Sequence, residues 1–251
     1  MPPLEYWWSG FTIMNVFIQT FNLILYQPLF NALVLLYLYL PGHDFGIAVI
    51  VLTILIKLIL YPLGSQAIRS QKALSALQPK MKEVQQKFKN DKEGQAKAMM
   101  KLYKTEKVNP FSGCLPLLVQ LPILIGLFQV FLRGFGETQL EFLYNFVPHP
   151  GQINTSFLGI VDLAEASIVL AVLTGLAQFF QTKMVTAQQK TSSKGSLGFS
   201  QMMQKQMLYF FPLFIVFILW RLPAAIALYW LTTTLFTIGQ QYIILKKHDS
   251  T

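Results

Sequence analysis

Apolar runs separated by short polar breaks set the pattern of the chain. Residues 45–64 (FGIAVIVLTILIKLILYPLG) are apolar almost throughout and stop at Pro62 and Gly64. Residues 113–133, 166–184, 207–221 and 222–245 repeat the pattern. About 20 apolar residues suffice for a helix to cross a bilayer, so the expected fold is all-α and polytopic, with five transmembrane helices. The fourth run is short, and Arg221-Leu222-Pro223 predicts a tight turn into the fifth. Residues 21–40 are apolar too, but Asn22, Gln27, Pro28 and Asn31 interrupt them. This segment either spans or lies as a helix in the interface. The interruptions favour the interface.

Residues 65–112 have a different texture. Leu74, Leu77, Met81, Val84 and Phe88 recur every three or four positions, with Pro79 in or beside this first helix. Met99, Met100 and Tyr103 give a second helix its apolar face, and Asn90-Asp91 to Gly94 predicts the turn between them. The expected element is a basic helical hairpin. One reading of it is a charged face over anionic headgroups, and the other is a surface that docks a partner.

Composition agrees with the membrane reading. Charged residues make up 12% of the chain, about half the usual share of about 25% for a soluble domain, and the mean hydropathy is +0.47. Disorder, coiled coil and most soluble folds are excluded. Net charge is +9, but its distribution matters more: 17 of the 20 Lys+Arg lie in 65–109, in 183–205 and at the C-terminus. The stretch 134–182 has none, yet holds Glu137, Glu141, Asp162 and Glu165. The positive-inside rule then predicts an extracytoplasmic 1–44, a cytosolic hairpin 65–112, an extracytoplasmic loop 134–165, a cytosolic loop 185–206 and a cytosolic tail 246–251. If 21–40 also spans, only the N-terminus changes sides. Tyr6, Trp7 and Trp8 suit a membrane interface. The first Lys or Arg is Lys57, so the usual positive start of a secretory signal is missing. Either a signal was removed earlier or the N-terminus is placed some other way.

Lys57 stands well inside the first span. A lysine at the bilayer centre costs about 2.5–3.5 kcal/mol. Snorkelling would have to cover the seven residues to Gly64, roughly 10 Å of helix, so a hydrated cavity is the better home. Thr53, Lys57 and Tyr61 share one face at i, i+4, i+8. Ser167, Thr174, Gln178 and Gln181 form a stripe on the third span. Trp230, Thr233 or Thr234, Thr237 and Gln241 form one on the fifth, and the second adds Gln120. Singly, each polar residue reads as hydrogen-bonding glue between helices. Together they gather at mid-depth and in the cytosolic half, which predicts a groove open to the cytosol and closed outside.

Enzymatic chemistry has nothing to work with in this pattern. No Asp or Glu falls within a span core, and no Gly-rich stretch has a phosphate-binding spacing. His43, His149 and His248 lie far apart, and Cys114 is the single cysteine. No catalytic residue, metal or cofactor is expected.

Particular strings then point further. MMKLYKTEKVNPFSGCLPLLVQLPILIGLF (99–128), QPLF (27–30), TILIKLILYPL (53–63), LQPKM (77–81) and LPAAIALYWLTTTLFTIGQQYII (222–244) resemble the YidC/Oxa-type membrane protein insertases, over about residues 21–245. The resemblance implies five core helices, an N-terminal interfacial helix and a cytosolic hairpin. It implies a hydrophilic groove with a basic residue, usually arginine, where this chain has Lys57. Thr53 and Trp230 match other groove-lining positions, while Gln120, Thr174, Gln178, Gln181, Thr233 and Thr237 join them by periodicity. On the hairpin, Arg69, Lys72, Lys80, Lys82, Lys87 and Lys101 are the residues expected to receive substrate or partner. The implied substrates are nascent membrane proteins. The implied partners are membrane lipids, a Sec translocon and the ribosome, with ribosomal RNA as the one nucleic acid. Only LKKHDST follows Ile244, whereas some relatives hold ribosomes with long basic tails; the expectation is a short form without the large extracytoplasmic domain of other relatives. Two rival functions fit the residues alone. A channel or secondary transporter would need polar residues through the full depth. A scaffold would need only the hairpin.

Overall fold

A proline, a glycine or a capping carboxylate marks most of the boundaries between helices. The computed structural model describes residue 16 and residues 18–109, 115–187 and 199–249. Tyr6, Trp7, Trp8, Cys114 and residues 188–198 of the 185–206 loop lie outside the described residues. The chain is mostly helical. A π-helical turn, α1 (Asn22–Tyr26), runs into α2 (Gln27–Tyr39) and then α3 (Phe45–Ile59). Next come α4 (Tyr61–Ala76), α5 (Gln78–Lys87), α6 (Lys92–Thr105), α7 (Leu115–Arg133) and the short α8 (Glu137–Leu140). A two-stranded hairpin of β1 (Ser156–Phe157) and β2 (Val161–Asp162) precedes α9 (Ile168–Ala187), α10 (Phe199–Leu219) and α11 (Ala224–Asp249).

The sharpest departure from expectation is at Leu60. The first apolar run does not stop at Pro62; it bends by 66° and continues as α4. Pro62 takes the first turn of that helix, where its missing N–H costs nothing. Leu77 makes a second break, with Pro79 in the first turn of α5. The polar segment is therefore three helices rather than two. Asp91 caps α6 by accepting from the Gly94 N–H at 2.9 Å, so the turn lies where Asn90-Asp91 predicted it. Lys80 donates to Glu106, and the Tyr103 hydroxyl points at the Met81 sulfur, which folds α6 back along α5. Of the apolar face expected from Met99, Met100 and Tyr103, Met100 is exposed, while Met99 and Tyr103 are half-buried. α9 and α10 also reach further into the 185–206 loop than its composition suggests.

Among the described residues, Ile18–Tyr39 is the helix long and apolar enough to cross a membrane, and the bent pair α3–α4 is a second if taken as one. Shorter apolar stretches are Leu118–Arg133, Ile168–Met184 and Leu208–Leu219. α11 sits at the centre, packed against α9 and α3, with Ala224–Tyr229 wholly buried. Small residues permit the closest approaches, as expected where lipid supplies no hydrophobic drive between helices. A Cβ on Gly175 of α9 would lie 2.3 Å from Val216 on α10, and one on Gly126 of α7 would lie 2.9 Å from Leu29 on α2.

The end of the bundle where α3 begins carries the 134–167 loop. Asn31 is buried in α2; its amide donates to the Phe142 carbonyl at 2.9 Å and its oxygen accepts from the Tyr144 N–H at 2.7 Å. The Tyr37 hydroxyl accepts from the Asn154 N–H, and the Arg133 guanidinium lies 4.8 Å above the Tyr26 ring. Thus Gln27 and Asn31, which read as interruptions, are ties between α2 and this loop. Thr155 donates to Asp162 at 2.6 Å, and together with the Ala164 N–H it holds that carboxyl below the usual carboxylate range.

Candidate functional site

Lys57 is three residues before Leu60, and the bend there shapes its surroundings. Leu60 leaves the helical conformation (φ −86°, ψ 3°), so the last turn of α3 and the first of α4 splay apart. The gap between them is a cavity of about 30 Å³ lined by Lys57, Leu60, Leu63 and Gly64, by Val119 and Gln120 of α7, and by Gln240 of α11. That is room for about one water molecule. Among the described residues no carboxylate pairs with Lys57.

Gln240 holds the bend. Its amide donates to the Tyr61 carbonyl at 2.9 Å and to the Ser65 hydroxyl at 3.0 Å, across 179 and 175 residues of sequence. Gly64 leaves it room, because a Cβ there would lie 3.0 Å from the Gln240 side-chain oxygen. On the other wall, Gln120 donates to the buried Tyr229 hydroxyl, which joins α7 to α11. Replacing Gln240 with Leu is expected to remove about 1–2 kcal/mol of stability. It should also broaden the angle between α3 and α4, read as a wider spin-label distance distribution between α6 and α11. An unchanged distribution would show that Pro62 sets the bend alone.

The other expected groove residues do not converge on this cavity. Thr53 is buried and bonds back to the Val49 carbonyl at 2.6 Å. Thr174 is buried as well, shared between the carbonyls of Leu170 in its own helix and Ala227 in α11. Thr237 bonds back to Thr233. Gln178, Gln181 and Trp230 are half-buried and outside the cavity lining, and Trp230 packs on the core. Thr53 and Thr174 thus satisfy backbone carbonyls within the helical packing. On the α4–α6 segment, Arg69, Lys87 and Lys101 are exposed, Lys72 and Lys82 are half-buried, and Lys80 pairs with Glu106 at 2.5 Å.

Sequence periodicity missed Gln240. It lies three residues after Thr237 and so continues the same stripe, but the neighbouring Gln241 fits a four-residue step equally well. Nothing local separates the two. A second cavity, of about 400 Å³, lies at the other end of α3, between Phe45, Phe131, Phe135, Leu163 and Ala225 with Gln152 at its edge. It is larger, but its lining has no charged group. The polar chemistry belongs to the small cavity at Lys57.

Comparison with known proteins places this arrangement in a wider context. A family model described as 60Kd inner membrane protein matches residues 36–251. The chain is 36% identical over 208 residues to "Membrane protein insertase YidC" of Francisella tularensis subsp. novicida (strain U112), a match covering 83% of this chain and 34% of that protein. Its counterparts from subsp. holarctica (strain LVS) and subsp. tularensis (strain SCHU S4 / Schu 4) match to the same extent. The chain therefore spans about a third of the length of the curated relatives it matches.

Proposed function

The chain belongs to the 60Kd inner membrane protein family, the YidC/Oxa-type insertases, and from that premise we propose that it inserts nascent membrane proteins and helps them fold, without nucleotide hydrolysis. The observation that carries this reading is the Lys57 ammonium, which has no carboxylate partner among the described residues, at a helix break floored by Gln120 and Gln240. In lipid such a charge is costly, and the charges found there mark substrate or ion pathways. The proposed arrangement has five transmembrane helices: α3, α7, α9, α10 and α11. The α4–α6 segment and the chain's end lie in the cytosol, and the 134–165 loop lies outside. α2 lies along the outer surface, since Asn31 and Tyr37 bond to that loop and Tyr26 meets the end of α7.

The proposed mechanism makes no covalent bond. Cavity water and the two glutamines lower the cost of bringing a polar segment into the membrane, which is otherwise several kcal/mol per unsatisfied group. The cavity has room for about one water molecule, so a passenger enters only if α3–α4, α7 and α11 part around it. The groove expected from the polar stripes is then an opened state of this cavity. Lys57 draws acidic residues of the passenger inward. Burial of the passenger's apolar helix in lipid completes the transfer. The basic α4–α6 segment receives the substrate, and the ribosome, a Sec translocon and membrane lipids are its proposed partners.

The direct test is insertion of a small single-span substrate into liposomes containing only this protein. Photo-reactive residues at Gln120 and Gln240 are expected to capture the passenger during insertion. Capture of lipid alone, with no insertion above that of empty liposomes, would leave the scaffold reading. Ion-selective conductance through planar bilayers would favour a channel.

A further inference from the structure

The hairpin joining β1 to β2 has the wrong residues at its tip for a turn in water. The Ile160 N–H donates to the Phe157 carbonyl at 3.0 Å, and both central residues have positive φ, Leu158 at 52° and Gly159 at 68°. Such a turn strongly prefers Asn-Gly or Asp-Gly, because a branched apolar side chain gains nothing from the left-handed backbone. Here the first position is Leu158, 59% exposed, and the next residue after the glycine is Ile160, 82% exposed. The base of the same hairpin is polar, with Thr155 on Asp162 and the Asn154 side chain accepting from the Ser156 N–H. The polarity is inverted relative to a solvated hairpin.

The tip is also fixed in place. The Leu158 N–H donates to one oxygen of Asp44 at 2.6 Å, while the other oxygen caps α3 through the Ile47 N–H at 2.9 Å. The Phe157 ring fills the space left by Gly46, where a Cβ would lie 2.1 Å from it. At the other side, the Leu163 and Glu165 carbonyls accept from the N–H groups of Ala225 and Ala224 at the start of α11. The hairpin therefore bridges the starts of α3 and α11, and its tip sits level with the head of α3. Exposed Tyr39 on α2, and Ile168 and Val169 at the start of α9, stand at the same end of the bundle. No lysine or arginine occurs in 134–182.

We infer that Leu158 and Ile160 form an anchor that inserts into the outer leaflet of the bilayer, holding the loop-side ends of α3 and α11 at the lipid surface. This rests on the membrane placement proposed above. Lipid is the occupant because Leu158, Gly159 and Ile160 carry no charge that a polar partner could read, and exposed apolar side chains of Tyr39, Ile168 and Val169 mark the same end of the bundle. The backbone strain at Leu158 is then offset by transfer of two large side chains into the acyl region, which Asn at that position would forgo.

The test uses nitroxide labels on single cysteines in a Cys114→Ser background, in proteoliposomes. Labels at Ile160→Cys, Leu176→Cys on the exposed middle of α9, and His149→Cys in the loop compare collision with lipid-soluble oxygen against a water-soluble nickel chelate. The expected result is oxygen dominant by several-fold at 160 and 176, and chelate dominant at 149. Chelate dominance at 160 with oxygen dominance at 176 overturns the anchor alone. Chelate dominance at 176 overturns the membrane placement itself. An immobilised label at 160 reached by neither reagent means that protein covers the tip, and this also overturns the anchor. If the label at 160 prevents folding, Leu158→Cys reads the same environment.

Discussion

Lys57→Ala is expected to cut insertion of substrates with acidic translocated tails by roughly tenfold or more, and to leave substrates with uncharged tails much less affected. A unit charge attracting a carboxylate at about 4 Å is worth about 1 kcal/mol in bulk water and about 4 kcal/mol at the effective dielectric of a partly hydrated protein site. A cavity the size of one water, walled by Leu60, Leu63 and Val119, lies toward the second figure. Lys57→Arg should retain insertion, since the charge is kept, although arginine's planar fork would hold a carboxylate in two-point geometry. Lys57→Leu should raise the thermal midpoint of the purified protein while abolishing the charge-dependent part of its activity. The ammonium has no carboxylate partner among the described residues, so removing it relieves a cost and breaks no pair. Depletion–complementation with matched acidic and neutral substrates reads the first effect, and thermal unfolding in detergent reads the second. Equal activity of the Ala variant on both substrate types would remove the charge from the mechanism.

Asn31→Ala is expected to be the most damaging single change at the opposite end of the bundle, at about 2–3 kcal/mol of stability. The side chain is buried and makes contacts at 2.8 Å to Gln27, 2.9 Å to Phe142 and 2.7 Å from Tyr144. Truncation removes all three and leaves the Tyr144 N–H without its acceptor. The Phe142 carbonyl keeps its bond from Gln27, so the loop loses both Asn31 ties and retains that one. Gln27→Ala, at a more exposed bond, should cost under about 1 kcal/mol. Thermal unfolding and limited proteolysis within 141–147 measure the difference. Equal stability of the two variants would mean that the aromatic contacts of Tyr26 and Phe30 hold the loop without Asn31.

The polar residues of the apolar runs divide into kinds that their sequence positions did not separate. Thr53, Thr174 and Thr237 looked like groove lining because they share a stripe with Lys57-type positions, yet each returns its hydroxyl to a carbonyl four residues earlier. A threonine in an apolar helix always has that local option, so periodicity cannot tell a wet face from a self-satisfied one. Gln120 and Gln240 have longer side chains and reach partners on other helices. Their roles depend on which helix stands opposite. Asn31 shows the same limit in reverse: it weakened the apolar run as sequence, and it is a buried three-bond tie as structure.

The sequence by itself determined the helical runs, the turn at Asn90-Asp91, the uneven spread of charge along the chain and the family, because apolar spacing, capping residues and charge distribution act locally or sum along the chain. Only the tertiary structure decided that the first run bends by 66° at Leu60 and continues, and that Gln240 rather than Gln241 grips the bend. It also decided that the space beside Lys57 is a cavity of only about 30 Å³. Those features arise where α3, α4, α7 and α11 meet, and contacts between helices more than a hundred residues apart leave no periodic trace in any one of them.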